Sequence, residues 1–99
     1  MICIEDTIHC DRQGDFASFE EALAELQRRA QIPWDAPPNI APCASWRTCG
    51  REYEITECDS SRSPWKLLRR VSVLRVSAKE VRWAQDFRKE WDERATEHE

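Results

Sequence analysis

Two glycines in 99 residues leave no glycine-rich loop of the kind that cradles a nucleotide phosphate. Histidine is equally scarce. Of the two, His98 falls in a charged tail expected to fray, which leaves His9 as the imidazole a catalytic arrangement would have to use. The cysteines include no C-x-x-C pair: their spacings are Cys3-x6-Cys10, Cys43-x5-Cys49 and Cys49-x8-Cys58, unlike the close pairs that shape most zinc sites. No apolar run approaches the roughly 18 residues of a membrane-spanning helix. The first residues, Met1-Ile2-Cys3-Ile4-Glu5-Asp6, carry acids where a secretory leader carries basic charge. These absences together predict a cytoplasmic protein without a membrane partner, its thiols mostly reduced and packed as small hydrophobes. Because the cysteine count of five is odd, at least one thiol is free or pairs with another molecule.

What is present describes an ordinary globular chain. Hydrophobic residues make up 40% and charged residues 34%, with a net charge of −4. That balance excludes a disordered tail. A chain of this length makes a single domain, residues 1–99, burying roughly 65% of its unfolded surface around one modest core.

Residues 1–10 alternate, with Ile2, Ile4, Ile8 and Cys10 on one face, and read as a strand bent near Asp6-Thr7. Asp11-Arg12-Gln13-Gly14-Asp15 reads as the turn that follows. Ser18-x-x-Glu21 is a capping box, and Phe19, Leu23, Leu26 and Ala30 follow at helical spacing. A helix is therefore expected over 18–31, ended by Pro33. Residues 32–50 hold four prolines with Trp34, Ile40 and Trp46, a composition that suits an ordered loop laid over the core.

A strand hairpin is expected over 51–76, turning at Ser60-Ser61-Arg62-Ser63-Pro64. In its second strand the apolar pattern slips phase: Val71 and Val73 share one face while Leu74 and Val76 fall on the other. Such a slip indicates a bulge or burial on both faces. Ser77-x-x-Glu80 repeats the capping box, and Val81, Ala84, Phe87, Trp91 and Ala95 give an apolar stripe, so a helix is expected over 78–95 with a frayed tail at 96–99. The expected class is α+β. A small antiparallel or mixed sheet of about three strands carries two helices on one face, in the order strand-helix-long loop-strand-strand-helix.

Charge is uneven along the hairpin. Residues 62–75 contain Arg62, Lys66, Arg69, Arg70 and Arg75 and no acid, whereas 51–61 set Arg51 against Glu52, Glu54, Glu57 and Asp59. Opposite charges on neighbouring strands read as cross-strand pairs that fix register. A net acidic chain does not suit nucleic acid, whose binding depends on neutralising phosphates.

Chemistry-bearing patterns are few. His9-Cys10-Asp11-Arg12-Gln13-Gly14-Asp15-Phe16 begins like a cysteine phosphatase loop, but Phe16 stands where that loop needs arginine. Cys49 beside Arg51 is a conceivable thiolate nucleophile, yet no base is identified for it. The sequence therefore gives no catalytic set and requires no cofactor. Its five tryptophans are the more suggestive feature. Trp34, Trp46 and Trp65 sit in or beside the Pro-rich loops, where exposed rings would serve as interface hot spots. The expected function is a protein-protein interaction module, in one form an acidic inhibitor or immunity-type protein, that contacts another protein through Trp34, Asn39, Trp46, Arg51 and Trp65. The rival from another class is a small-ligand or zinc-binding loop built from Cys43, Cys49 and Arg51, with Cys58 as a further ligand. A homodimer formed through a sheet edge, such as the first strand, is the third possibility.

Overall fold

The computed structural model describes residues 1–6, 11–40, 50–59, 61 and 66–96. Their elements are β1 (Ile2–Asp6), β2 (Asp11–Phe16), α1 (Phe19–Arg29), β3 (Arg51–Asp59), β4 (Lys66–Val76), β5 (Val81–Trp83) and α2 (Phe87–Thr96). The five strands form one antiparallel sheet in the order β2-β1-β3-β4-β5. This corrects the three-strand sheet and the element order expected from the sequence; the class remains α+β.

Both additional strands come from segments whose local chemistry points elsewhere. The polar run Asp11–Phe16 looks like a turn, but it pairs with β1 from Ile2↔Phe16 to Asp6↔Asp11. The register shifts between Cys3 and Glu5, where the two residues Gln13-Gly14 face Ile4 alone. Gly14 sits there at φ 100°, a conformation that side chains resist, so it takes up the extra residue. At the other end, Ser77 accepts from the amides of Lys79 and Glu80, both at 3.3 Å, as a helix cap would. Its own N–H, however, donates to the carbonyl of Glu80 at 2.9 Å and closes a hairpin. The chain then returns as β5, and α2 starts only at Phe87. A serine hydroxyl satisfies turn amides as readily as helix amides, so the same motif serves either structure.

Helix α1 follows its local signals. Ser18 Oγ accepts from the amide of Glu21 at 3.2 Å, and the Glu21 carboxylate reaches back to the amide of Ala17 at 2.9 Å. Ala22, Leu23 and Leu26 point inward and meet Ile2 and Ile4 of β1, Tyr53 and Ile55 of β3, and Val71, Val73, Leu74 and Val76 of β4. Each fully buried aliphatic side chain in that set contributes about 1.5–3 kcal/mol. Trp91 of α2 joins the same cluster, its ring 4.7 Å from that of Phe19. Both helices thus lie on one face of the sheet.

The phase slip in β4 is a bulge: Tyr53 pairs with Leu74 and Glu54 with Ser72, so Val73 is the extra residue. Beyond it, Leu74 and Val76 stay on the helix-covered face and complete the core. Gly50 enters β3 against the β4–β5 turn, where a Cβ would lie 2.5 Å from the carbonyl oxygen of Val76.

Candidate functional site

Three regions of the structure hold chemistry-bearing side chains, and the first gathers the polar residues singled out in the sequence. Asn39 is buried under the end of α1. Its Nδ2 donates to the carbonyls of Arg29 and Ile32 at 2.9 and 2.8 Å, and its Oδ1 accepts from the Tyr53 hydroxyl at 2.9 Å. Burial raises the Tyr53 phenol above its ordinary pKa, which keeps it a donor. Arg51 is also buried. Its Nη1 lies 3.0 Å from Asp6 Oδ2, and its Nη2 donates to the carbonyl of Ile40 at 2.8 Å. Asp6 further accepts from the amide of Glu52 at 3.2 Å. Arg29 closes the cluster through Glu25 at 2.6 Å and Gln13 at 2.7 Å.

These bonds tie the segment 32–40 to the sheet, with the polar ends of Asn39 and Arg51 turned inward. Trp34 is half-buried and packs against the core cluster. Trp46, Trp65, Cys43 and Cys49 lie outside the described residues. Cys58 is a buried free thiol on β3, as is Cys3 on β1. Burial raises the Cys3 pKa, and the nearby Asp15 adds to this against the opposing influence of Arg12. Among the described residues no three His, Cys, Asp or Glu side chains converge as a metal site. No helix among them is long and apolar enough to cross a membrane.

The second region is the sheet face opposite the helices. Register places Cys3, Glu5, Glu52, Glu54, Thr56, Arg70, Ser72, Arg75 and Arg82 there. Glu54 stands directly across from Glu5 and is only 8% exposed. Its Oε1 lies 3.6 Å from Arg70 Nη1, too long for a good hydrogen bond. Burial therefore raises the Glu54 pKa; Arg70 opposes the shift and Glu5 and Glu52 reinforce it. A carboxyl whose pKa rises on folding binds its proton more tightly in the native state. Its contribution favours the fold at low pH and is lost as pH climbs through the native value. Glu54→Gln is accordingly expected to stabilise the chain at pH 7 by about 1 kcal/mol, the upper scale of one relieved like-charge pair. Urea midpoints measured from pH 7 down toward the ordinary glutamate pKa of about 4.3 should show that gain shrinking.

Beside Glu54, a depression of about 150 Å³ opens between Glu52, Ser72, Leu74, Arg75, Arg82 and Ala84. Arg75 and Arg82 face each other across β4 and β5, with Glu52 on the other side of Arg75. The lining supplies charge for recognition.

The third region is β5 itself, an outer strand of the sheet. Ala84 N–H donates to Val73 O at 2.8 Å and Ser77 N–H to Glu80 O at 2.9 Å, with Arg75↔Arg82 the register pair between them. In an antiparallel ladder, bonded residues alternate. Residues 80, 82 and 84 therefore direct their backbone groups toward β4, and Val81 and Trp83 direct theirs outward. Their side chains are exposed as well, Val81 at 48% and Trp83 at 38%. Trp83 is held by stacking on Phe87, with centroids 6.2 Å apart. Arg82 projects onto the opposite face, 3.9 Å from Glu80.

Reading the sequence as a helix over 78–95 hid this strip. The missed signal is the alternation Val81-Arg82-Trp83, β-branched and aromatic residues around a charge immediately after a strand. The β1 edge expected for a dimer is not an edge, because β1 lies between β2 and β3. No family model, no curated protein and no solved structure matches this chain.

Proposed function

We propose that this chain is a small protein-binding module that adds a strand of its partner to the outer edge of β5, which no strand among the described residues covers. Val81 and Trp83 are the apolar contacts and Arg82 the polar one. The observation that carries the reading is the outward backbone of Val81 and Trp83 flanked by their own exposed side chains. Unpaired strand edges template pairing with another chain. Main-chain bonds supply affinity in such strand addition, and alternate side chains supply specificity. The form that masks a basic site with acidic residues has less behind it, since Glu5 and Glu54 on the open face already stand beside Arg12 and Arg70.

Val81→Pro tests the reading. Proline removes the outward N–H of residue 81 but none of the ladder bonds to β4, and proline is tolerated where a strand N–H faces solvent. The expected result is that Val81→Pro, and independently Trp83→Ala, each weaken capture of the binding partner by about tenfold or more, the scale of an interface hot spot. Their unfolding midpoints should stay close to that of the original chain. A partner retained at full affinity by Val81→Pro would overturn strand addition at β5.

A further inference from the structure

The β5 edge carries a charge pattern that is complementary to itself. Glu80 and Arg82 are two residues apart, project from the same face and are half or more exposed, at 51% and 72% for their side chains. Val81 lies between them with its backbone turned outward. Resting on the strand-addition reading above, we infer that the partner at this edge is a second copy of the chain, paired antiparallel about a two-fold axis through Val81.

Register geometry selects that axis. With Val81 opposite Val81 of the other copy, the two residues exchange both N–H···O bonds. Glu80 of each copy then falls across from Arg82 of the other, in the non-hydrogen-bonded position where side chains approach most closely. The interface thereby gains two opposite-charge pairs on the open face. On the helix-covered face the two Val81 side chains meet, and each Trp83 lies diagonal to the other copy's Val81, within reach of a large ring. Moving the axis to Arg82 also satisfies the backbone but sets Arg82 against Arg82, a like-charge contact. The sequence Glu80-Val81-Arg82-Trp83 thus favours one register and opposes its neighbour. Joining the edges continues each five-stranded sheet into its partner. A three-residue strand buries little area, so the dimer is weak and forms with rising concentration.

Sedimentation equilibrium of the full chain, from micromolar to millimolar concentration, reads the association directly. Glu80→Arg and Arg82→Glu each place two like-charge contacts in the symmetric interface, and each should weaken dimerisation by about tenfold or more. The double variant Glu80→Arg/Arg82→Glu restores complementarity and should return to within about threefold of the original. Mixing the two single variants should produce a heterodimer, since one then presents only acids and the other only arginines. Val81→Pro should be monomeric throughout.

Four results would overturn the inference: an original chain that stays monomeric at millimolar concentration, single variants that dimerise unchanged, a double variant that fails to recover, or a dimer that survives Val81→Pro. The first leaves strand addition to a different protein standing if Val81→Pro still abolishes that protein's capture. A dimer that survives Val81→Pro places self-association elsewhere on the molecule and removes the second copy from this edge.

Discussion

Replacing Asp6 with alanine is expected to lower the free energy of unfolding by about 3–5 kcal/mol, a large part of the margin of a domain this size. Asp6 is fully buried and Arg51 is 7% exposed, so the change takes a carboxylate away from a guanidinium that is largely shut off from water. The amide of Glu52 loses its acceptor at the same time. Urea titration followed by tryptophan fluorescence would read the loss. Removing both charges, as in Asp6→Leu/Arg51→Met, should recover much of it, because a buried pair contributes less than either orphaned member costs. A loss below about 1 kcal/mol for Asp6→Ala would instead mean that the pair is solvated. The same bonds hold the segment 32–40 in place, since Arg51 also binds the carbonyl of Ile40 and Asn39 binds Tyr53. This cluster explains how residues 32–40, rich in proline and poor in secondary structure, are held against the sheet. Asn39, Tyr53 and Arg51 take up the carbonyls of Ile32, Pro38 and Ile40, and turn amides take up that of Ala36.

How much of this was legible in the chain depends on how local each signal is. Helix α1 is readable because everything that makes it lies within a dozen residues: the Ser18 cap, the Glu21 return bond and an inward stripe ending before Pro33. The bulge in β4 is readable because the apolar pattern changes phase at Val73-Leu74 itself. β2 is not, since Asp11–Phe16 has a turn's composition and becomes a strand only by pairing with β1. β5 is hidden by a conflict between two readings of one motif. Ser77-x-x-Glu80 suits a helix start, and only the closing bond from Ser77 N–H to Glu80 O turns it into a hairpin. The candidate surface is hidden for that reason, as its three residues fall inside the helix expected over 78–95. Asn39 and Arg51 stand out in the sequence only as candidate polar contacts for a partner. Their buried partners, however, are residues far away in sequence, Asp6 and Tyr53, which spacing alone does not bring together.

The second large effect separates the two tryptophans of the C-terminal region, which look alike in sequence. Trp91 is 3% exposed and Trp83 38%. Trp91 packs at a tilt against Phe19 of α1, and the Arg69 guanidinium covers its ring at 3.8 Å. Arg69 also donates to the Trp91 carbonyl at 2.8 Å while bound to Glu57 at 2.8 Å. Phe87 and Trp91 are the only large apolar side chains of α2, so this ring is the main anchor of the helix on β4. Trp91→Ala is therefore expected to cost about 3–5 kcal/mol, within the range for deleting a buried aromatic. Helical circular dichroism should fall as α2 detaches, before the sheet itself melts. Trp83→Ala removes a ring that is over one-third exposed and should cost no more than about 1 kcal/mol. If the two variants destabilise the chain equally, Trp83 belongs to the core and the β5 edge loses its principal side-chain contact. If Trp91→Ala unfolds α2 while Trp83→Ala leaves the fold and abolishes association, the two rings have separate duties. One then holds the helix to the sheet, and the other is left exposed for a second strand to cover.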